Sequence, residues 1–219
     1  MTLDLDAVEA RVLGSLSEKD LATPEYYPMS LNALVNACNQ KSNREPAVQY
    51  DDATVRMALA SLERRGWVQE VFEPGSRVAR YRHCLAERLE LRRGEQAVLT
   101  VLLLRGPQTA GELRTRTERL YEFSDLDAVQ TALRRLAERT PVPLVRQLAR
   151  QPGMKENRWS HLLCGEPETA LPAVEPPAPR RDRIGELEAR VAALEAQLRS
   201  QAERLGRLEE ICARPGGRN

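Results

Sequence analysis

Leu5, Val8, Val12 and Leu16 fall on one stripe at helical spacing, with Asp4 available as N-cap and Pro24 closing the segment. Ser30 then caps a short helix whose apolar side is Leu31, Leu34, Val35 and Cys38, before the polar stretch 39–46 interrupts it. Asp51 or Asp52 starts a third helix, which buries Val55, Ala58, Leu59 and Leu62 and stops at Gly66, a residue suited to the left-handed position after a helix. From Trp67 the period changes to alternation, through Phe72, a turn at Pro74-Gly75-Ser76, and a return over Arg77 to Arg82. Three helices followed by a hairpin predict a winged helix-turn-helix domain.

The pattern then repeats. At an offset of 74, Val55, Ala58, Leu59, Leu62, Arg65 and Val68 coincide with Val129, Ala132, Leu133, Leu136, Arg139 and Val142. Upstream, Glu95 to Leu104 matches the first helix. Thr109 and Glu112 form a capping box around Leu113, and Ser124 with Asp127 is read as another. A second hairpin is expected over Leu144 to Arg150 and Asn157 to Leu162. Two copies are too few for a solenoid, so the reading is two tandem domains, 1–88 and 89–164, each with a modest core. The fold class is mainly α with small β-hairpins.

Residues 165–182 hold Pro167, Pro172, Pro176, Pro177 and Pro179 and read as an extended linker. Over 183–213, Ile184, Val191, Leu198 and Leu205 occupy heptad a positions, and Leu187, Leu194 and Leu208 occupy d. Arg183, Arg190 and Arg204 at g face Glu188, Glu195 and Glu209 at e of the following heptad when two such helices run parallel. These residues predict a parallel homodimeric coiled coil; a single amphipathic helix folding back on the globular part is the alternative.

Composition narrows the function classes. Aromatic residues are 4% of the chain, so cores must come from Leu, Val and Ala. The most apolar run, Ala97 to Leu104, is far short of a membrane span, and the acidic start lacks a signal-peptide pattern; both point to the cytoplasm. Cys38, Cys84, Cys164 and Cys212 show no CxxC spacing, which argues against disulfides. His83 beside Cys84 and His161 near Cys164 invite a zinc reading. Structural zinc usually takes closely spaced ligand pairs, so these are read as partly buried thiols with no metal and no cofactor. No Gly-rich phosphate loop, GxSxG or dense carboxylate site is present, and the chain reads as non-enzymatic.

Net charge is +1, but its distribution is uneven. Residues 1–90 carry 11 basic and 14 acidic side chains, residues 91–165 carry 13 and 8, and 166–219 carry 9 and 10. Only the second repeat is plainly basic, as duplex binding requires of at least one face. Its third helix presents Gln130, Thr131, Arg134, Arg135 and Glu138 outward, a mixture suited to phosphates and base edges. In the first repeat the outward set is Arg56, Ala60, Ser61 and Arg64. The wing adds Arg77, Arg80 and Arg82, with Tyr81 turned toward the core. Those wing arginines fit a DNA contact and equally a solvated basic strand edge. Lys41 and Arg44 in the long polar turn fit a phosphate or partner contact, while Asn39, Ser42 and Asn43 also fit the satisfaction of backbone groups within the turn.

The segments Glu9 to Lys19, Thr23 to Leu34 and Ala37 to Arg44, continued by Val55 to Arg65 and Arg77 to His83, resemble the YceH family of bacterial proteins over about residues 5–163. The resemblance implies two tandem winged helices in a cytoplasmic bacterial protein and carries no function with it. Two functions therefore stand as expectations: a coiled-coil-tethered homodimer binding double-stranded DNA, as a regulator or chromosome-associated factor, or a scaffold that docks a protein partner through its winged helices.

Overall fold

The computed structural model describes residues 4–72, 75, 78–150, 153–154, 156–166 and 195. The chain divides into a unit of residues 1–170 and a second of 171–219. Residues 167–182 of the expected linker, the heptad residues Ile184, Leu187, Val191, Leu194, Leu198, Leu205 and Leu208, and Arg77 of the expected first wing lie outside the described residues.

The described chain is a mixed α+β structure of seven helices and small antiparallel sheets. Helix α1 (Ala7–Ala22) begins at Asp6 rather than Asp4, in a capping box: the Glu9 amide donates to Asp6 Oδ1 at 2.8 Å and the Asp6 amide to Glu9 Oε2 at 3.0 Å. Asp4 is unavailable as a cap because its backbone runs extended beside Cys164, with the Leu5 amide donating to the Leu163 carbonyl. Strand β1 (Met29–Ser30) leads into α2 (Leu31–Cys38), where Ser30 caps as expected. Helix α3 (Asp52–Arg64) starts at Asp51, and Gly66 follows at φ +71°, where a Cβ would meet the Arg88 guanidinium at 2.7 Å.

Strands β2 (Val68–Phe72) and β3 (Ala79–His83) pair antiparallel, and β1 adds to the far side of β3, giving the order β1-β3-β2. Strand β3, which carries Arg80 and Arg82, is thus central. Arg80 lies opposite Ser30 of β1 as well as Val71 of β2, so it is not on a bare edge, whereas Arg82 lies beyond the β1 register and pairs with Gln69 of β2. After one helical turn, α4 (Leu85–Arg88), the sequence of elements recurs: α5 (Arg93–Arg105), α6 (Ala110–Thr117), α7 (Leu126–Ala137), then β4 (Val145–Gln147) paired with β5 (Trp159–His161). Gln108 bridges to Trp159 just before α6, matching the place of β1 before α2. The cap of α7 is Asp125, which accepts from the Ala128 amide at 2.7 Å; Ser124, expected to cap, instead donates to Asp125 Oδ2. A carboxylate makes the stronger bond to a helix N-terminus, so the register moves one residue on.

Each repeat was expected to hold its own modest core. Instead the buried residues form one continuous cluster running from Leu5 to Leu163. The reason is α1 and α5, which pack along each other and are buried on almost every side. Gly14 permits the approach: a Cβ there would lie 3.0 Å from Leu104 Cδ2 and 3.1 Å from Leu103 Cβ. Polar residues in this interface satisfy one another. Ser17 Oγ and Thr100 Oγ1 are 2.7 Å apart, and Gln96 donates to Ser17 Oγ and to Asp20 Oδ2. His83 Nδ1 accepts from the Leu85 amide, so its proton is assigned to Nε2, 3.3 Å from Asp20 Oδ2. That hydrogen bond first, against the opposing effect of burial, holds the Asp20 carboxyl below its ordinary range. With both ring nitrogens engaged, His83 has no lone pair for zinc.

Candidate nucleic-acid interface

Amphipathic spacing orients α7: Val129, Ala132, Leu133 and Leu136 go into the core, which leaves Gln130, Arg134, Arg135 and Glu138 in solvent and Thr131 half-buried beside them. Arg134 donates to Thr131 Oγ1 at 3.1 Å, one turn back. Among the described residues no carboxylate lies within ion-pair distance of Arg134 or Arg135. The arginines therefore keep their hydrogen-bonding capacity for an external acceptor. Helix α6 packs against α7, and Arg114 and, just beyond the end of α6, Arg119 are exposed. Both are outward-facing cations, as their spacing already signals, although the expected DNA contacts stop at α7.

The matching face of α3 is chemically different. Arg56 and Arg64 are exposed, but between them lie Met57, 69% exposed, Ala60, and the half-buried Ser61. Arg80 and Arg82 are engaged internally. Arg80 Nη1 donates to the Pro28 carbonyl at 2.9 Å; Arg82 donates to Gln69 Oε1 at 3.0 Å and pairs with Glu87. Tyr81 lies half-buried against the core with its hydroxyl toward Glu70. The structure thus brings Gln130, Thr131, Arg134 and Arg135 together on one surface, whereas Arg80 and Arg82 face partners of their own.

Arg44 is a correction. Expected to reach a phosphate, it has a side chain with 0% exposure and a bidentate bond to Glu18: Nη2 to Oε2 at 2.6 Å and Nη1 to Oε1 at 3.1 Å. It also donates to the Ala37 and Asn43 carbonyls and to Gln40 Oε1. Asn39 completes the turn through paired bonds with the Tyr50 backbone, and the Glu45 amide donates to the Leu104 carbonyl. The long polar turn is a fastening between α2 and α5. A buried guanidinium is favourable only where its donors are matched, and here the turn's own carbonyls and one carboxylate match them. Lys41 alone of the two predicted cations stays exposed. No local pattern separates the two, because both sit in the same polar stretch.

Arg11, buried on α1, has no carboxylate among its hydrogen-bond acceptors and donates instead to the carbonyls of Cys38 and Pro46. Burial first, then the positive charge of Arg44, lowers its pKa from the ordinary arginine value. His161, on β5, has a buried Nδ1 without a hydrogen-bond partner, and burial lowers its pKa to about 4. Among the described residues no group of three or more metal-ligating side chains is assembled, and no helix is long and apolar enough to cross a membrane.

Comparison with known proteins identifies the family. The family model described as a protein of unknown function, DUF480, matches residues 5–154. A UPF0502 protein of Geobacter sulfurreducens is 52% identical over 199 residues, covering 90% of each chain. One from Solibacter usitatus is 52% identical over 198 residues, covering 89% of this chain and 94% of its own. A relative from Klebsiella pneumoniae is 47% identical over 215 residues, covering 96% and 97%. With the matched region running from the start of α1 through β4, and such identity extending over nearly the whole length of bacterial relatives, this chain belongs to the DUF480 (UPF0502) family, to which the YceH-like motifs pointed.

Proposed function

We propose that this chain is a non-enzymatic protein of two tandem winged helix-turn-helix modules that binds duplex DNA chiefly through the outer face of α7, as a cytoplasmic homodimer joined by a parallel coiled coil over residues 183–213. The observation that carries the reading is the solvent face of Gln130, Thr131, Arg134 and Arg135, cationic and without an internal carboxylate. A helix is about 10–12 Å across with its side chains, which fits a major groove about 12 Å wide. Arginine reads guanine and glutamine reads adenine through paired bonds there, while Arg114 and Arg119 suit flanking phosphates. Joining several weak modules raises the effective concentration of each for the same duplex.

The test is fluorescence anisotropy of a labelled random duplex titrated with the full chain at several salt concentrations. Arg134→Ala with Arg135→Ala weakens binding, and the slope of log affinity against log salt becomes shallower by about 0.9 for each phosphate the variant no longer neutralises. Wild-type affinity and slope in the double variant exclude α7 as the reader.

A second reading, a protein-docking scaffold, is favoured by the first repeat. Tyr26, Met57, Phe72 and Val78 are exposed there by 58–73%, and residues 1–90 are net acidic. It requires a co-purifying partner that Met57→Ser with Phe72→Ser releases, together with no salt-sensitive DNA affinity.

A further inference from the structure

The solvent face of α7 has two edges. Each residue of a helix turns about 100° from the last, so Ala128, Thr131 and Arg135 run along one edge and Gln130 and Arg134 along the other. The edge of Ala128, Thr131 and Arg135 borders a groove of about 310 Å³, which the start of α5 also lines at Arg92 and Gly94. Tyr121 and Phe123, from the turn between α6 and α7, line it too and pack edge to face with ring centroids 4.8 Å apart. Gly94 admits this aromatic pair: a Cβ there would meet Tyr121 Cε1 and Phe123 Cζ at 3.1 Å. The first turn of α5 is thereby held against the α6–α7 turn, and two arginines stand on separate helices around one groove.

Arg92 and Arg135 are both exposed, and among the described residues neither lies within ion-pair distance of a carboxylate. Glu95 is the one acid lining the groove; it is buried, and its Oε2 accepts the Arg92 amide at 3.0 Å. The Arg92 side chain takes no part in that bond. A helix seated in the major groove of a duplex has a phosphodiester strand on either side of it. Such a strand alternates phosphates, which suit the two guanidiniums, with sugars, which suit an aromatic wall.

We propose that this groove holds one phosphodiester strand of the bound duplex, with Arg92 and Arg135 donating to its phosphates and Tyr121 against a deoxyribose. The two adjacent arginines of α7 then have different tasks. Arg135 positions the duplex through its backbone, and base contacts fall to Gln130 and Arg134 on the opposite edge. The assignment rests on the reading of α7 as the DNA-facing helix, and it adds Arg92, from the start of α5, to the surface that meets DNA.

The experiment is fluorescence anisotropy of two labelled duplexes, one rich in G·C and one rich in A·T, titrated with the full chain between about 50 and about 200 mM salt. Arg92→Ala makes the slope of log affinity against log salt shallower by about 0.9, so the loss of affinity over that range becomes about 3.5-fold smaller, equally on both duplexes. Arg92→Lys keeps the wild-type slope, because an ammonium neutralises a phosphate as a guanidinium does. Both substitutions leave the Glu95 cap in place, since it takes the backbone amide. Lys41→Ala, in the polar turn after α2, keeps the wild-type slope; a loss equal to that of Arg92→Ala would make the effect one of net charge and overturn the assignment. A wild-type slope in Arg92→Ala, while Arg134→Ala with Arg135→Ala still weakens binding, overturns the groove and leaves the α7 reading standing. Absence of salt-dependent binding by the wild-type chain overturns both. A loss confined to one duplex places Arg92 on a base and overturns the phosphate contact.

Discussion

Glu18→Gln tests whether Arg44 is part of the framework. The substitution keeps the size of the side chain and removes its charge, leaving a guanidinium of 0% exposure opposite a neutral amide, with the Glu18 side chain itself only 8% exposed. Two of the charge-assisted bonds, at 2.6 and 3.1 Å, become ordinary or are lost, and Arg44 keeps only neutral acceptors: the Ala37 and Asn43 carbonyls and Gln40 Oε1. Removing one partner of a buried ion pair costs about 3–5 kcal/mol. For a cooperative unit of this size each kcal/mol lowers Tm by about 2–4 °C, so Tm falls by about 6–20 °C. Urea titration gives the free energy and differential scanning calorimetry the Tm. Arg44→Gln is expected to be at least as damaging, because it strips the Ala37 and Asn43 carbonyls of a donor as well. The reasoning is refuted if Glu18→Gln costs less than about 1 kcal/mol. It is refuted differently if Arg44→Gln melts like the wild type but flattens the salt dependence of DNA binding, since the guanidinium would then be serving phosphate.

Gly14→Val places a branched side chain where even a Cβ meets Leu103 and Leu104 at 3.0–3.1 Å, so α1 and α5 must separate; a loss of about 1–3 kcal/mol is expected in urea titration, and an unchanged midpoint would mean the helices are not in contact there. His161 is held neutral, with a folded pKa of about 4 against 6.5 in an unfolded chain. The unfolded state therefore takes up the proton first as pH falls, and the His161 contribution, complete above about pH 6.5, is lost progressively down to about pH 4, by roughly 1–3 kcal/mol. His161→Phe should flatten the stability profile between pH 7 and 5, and a profile parallel to the wild type would assign the loss to other groups. Arg134→Ala with Arg135→Ala completes the set, read by binding rather than by stability.

Local structure was largely legible in the sequence, since the groups that determine it are near neighbours in the chain. Ser30 and Thr109 cap the helices they were expected to cap, Asp51 is the one of the two expected candidates that caps α3, Gly66 takes its left-handed place, and the two rows Val55-Ala58-Leu59-Leu62 and Val129-Ala132-Leu133-Leu136 are buried as their spacing requires. The outward face of α7 followed from the same periodicity. Even here competition between adjacent caps was not decided by pattern: Asp6 displaced Asp4 and Asp125 displaced Ser124, because the extended pairing of Asp4 with Cys164 and the better acceptor at Asp125 settle each start.

What tertiary structure alone decided was which charged and polar residues meet. Arg44 and Lys41 share one polar stretch, yet Arg44 finds Glu18, 26 residues away, and turns inward while Lys41 remains in solvent. Arg80 and Arg82 alternate like exposed wing residues, but the two-residue strand β1 makes their strand central, and Pro28, just ahead of β1, supplies its carbonyl to Arg80. One core replaces two because Gly14 brings α1 against α5, and a cavity lined by Arg105 and Arg116 is bounded by segments far apart in sequence. Periodicity reports the direction of a side chain from its own helix or strand; the partner it meets depends on the position of another element, which no local spacing encodes.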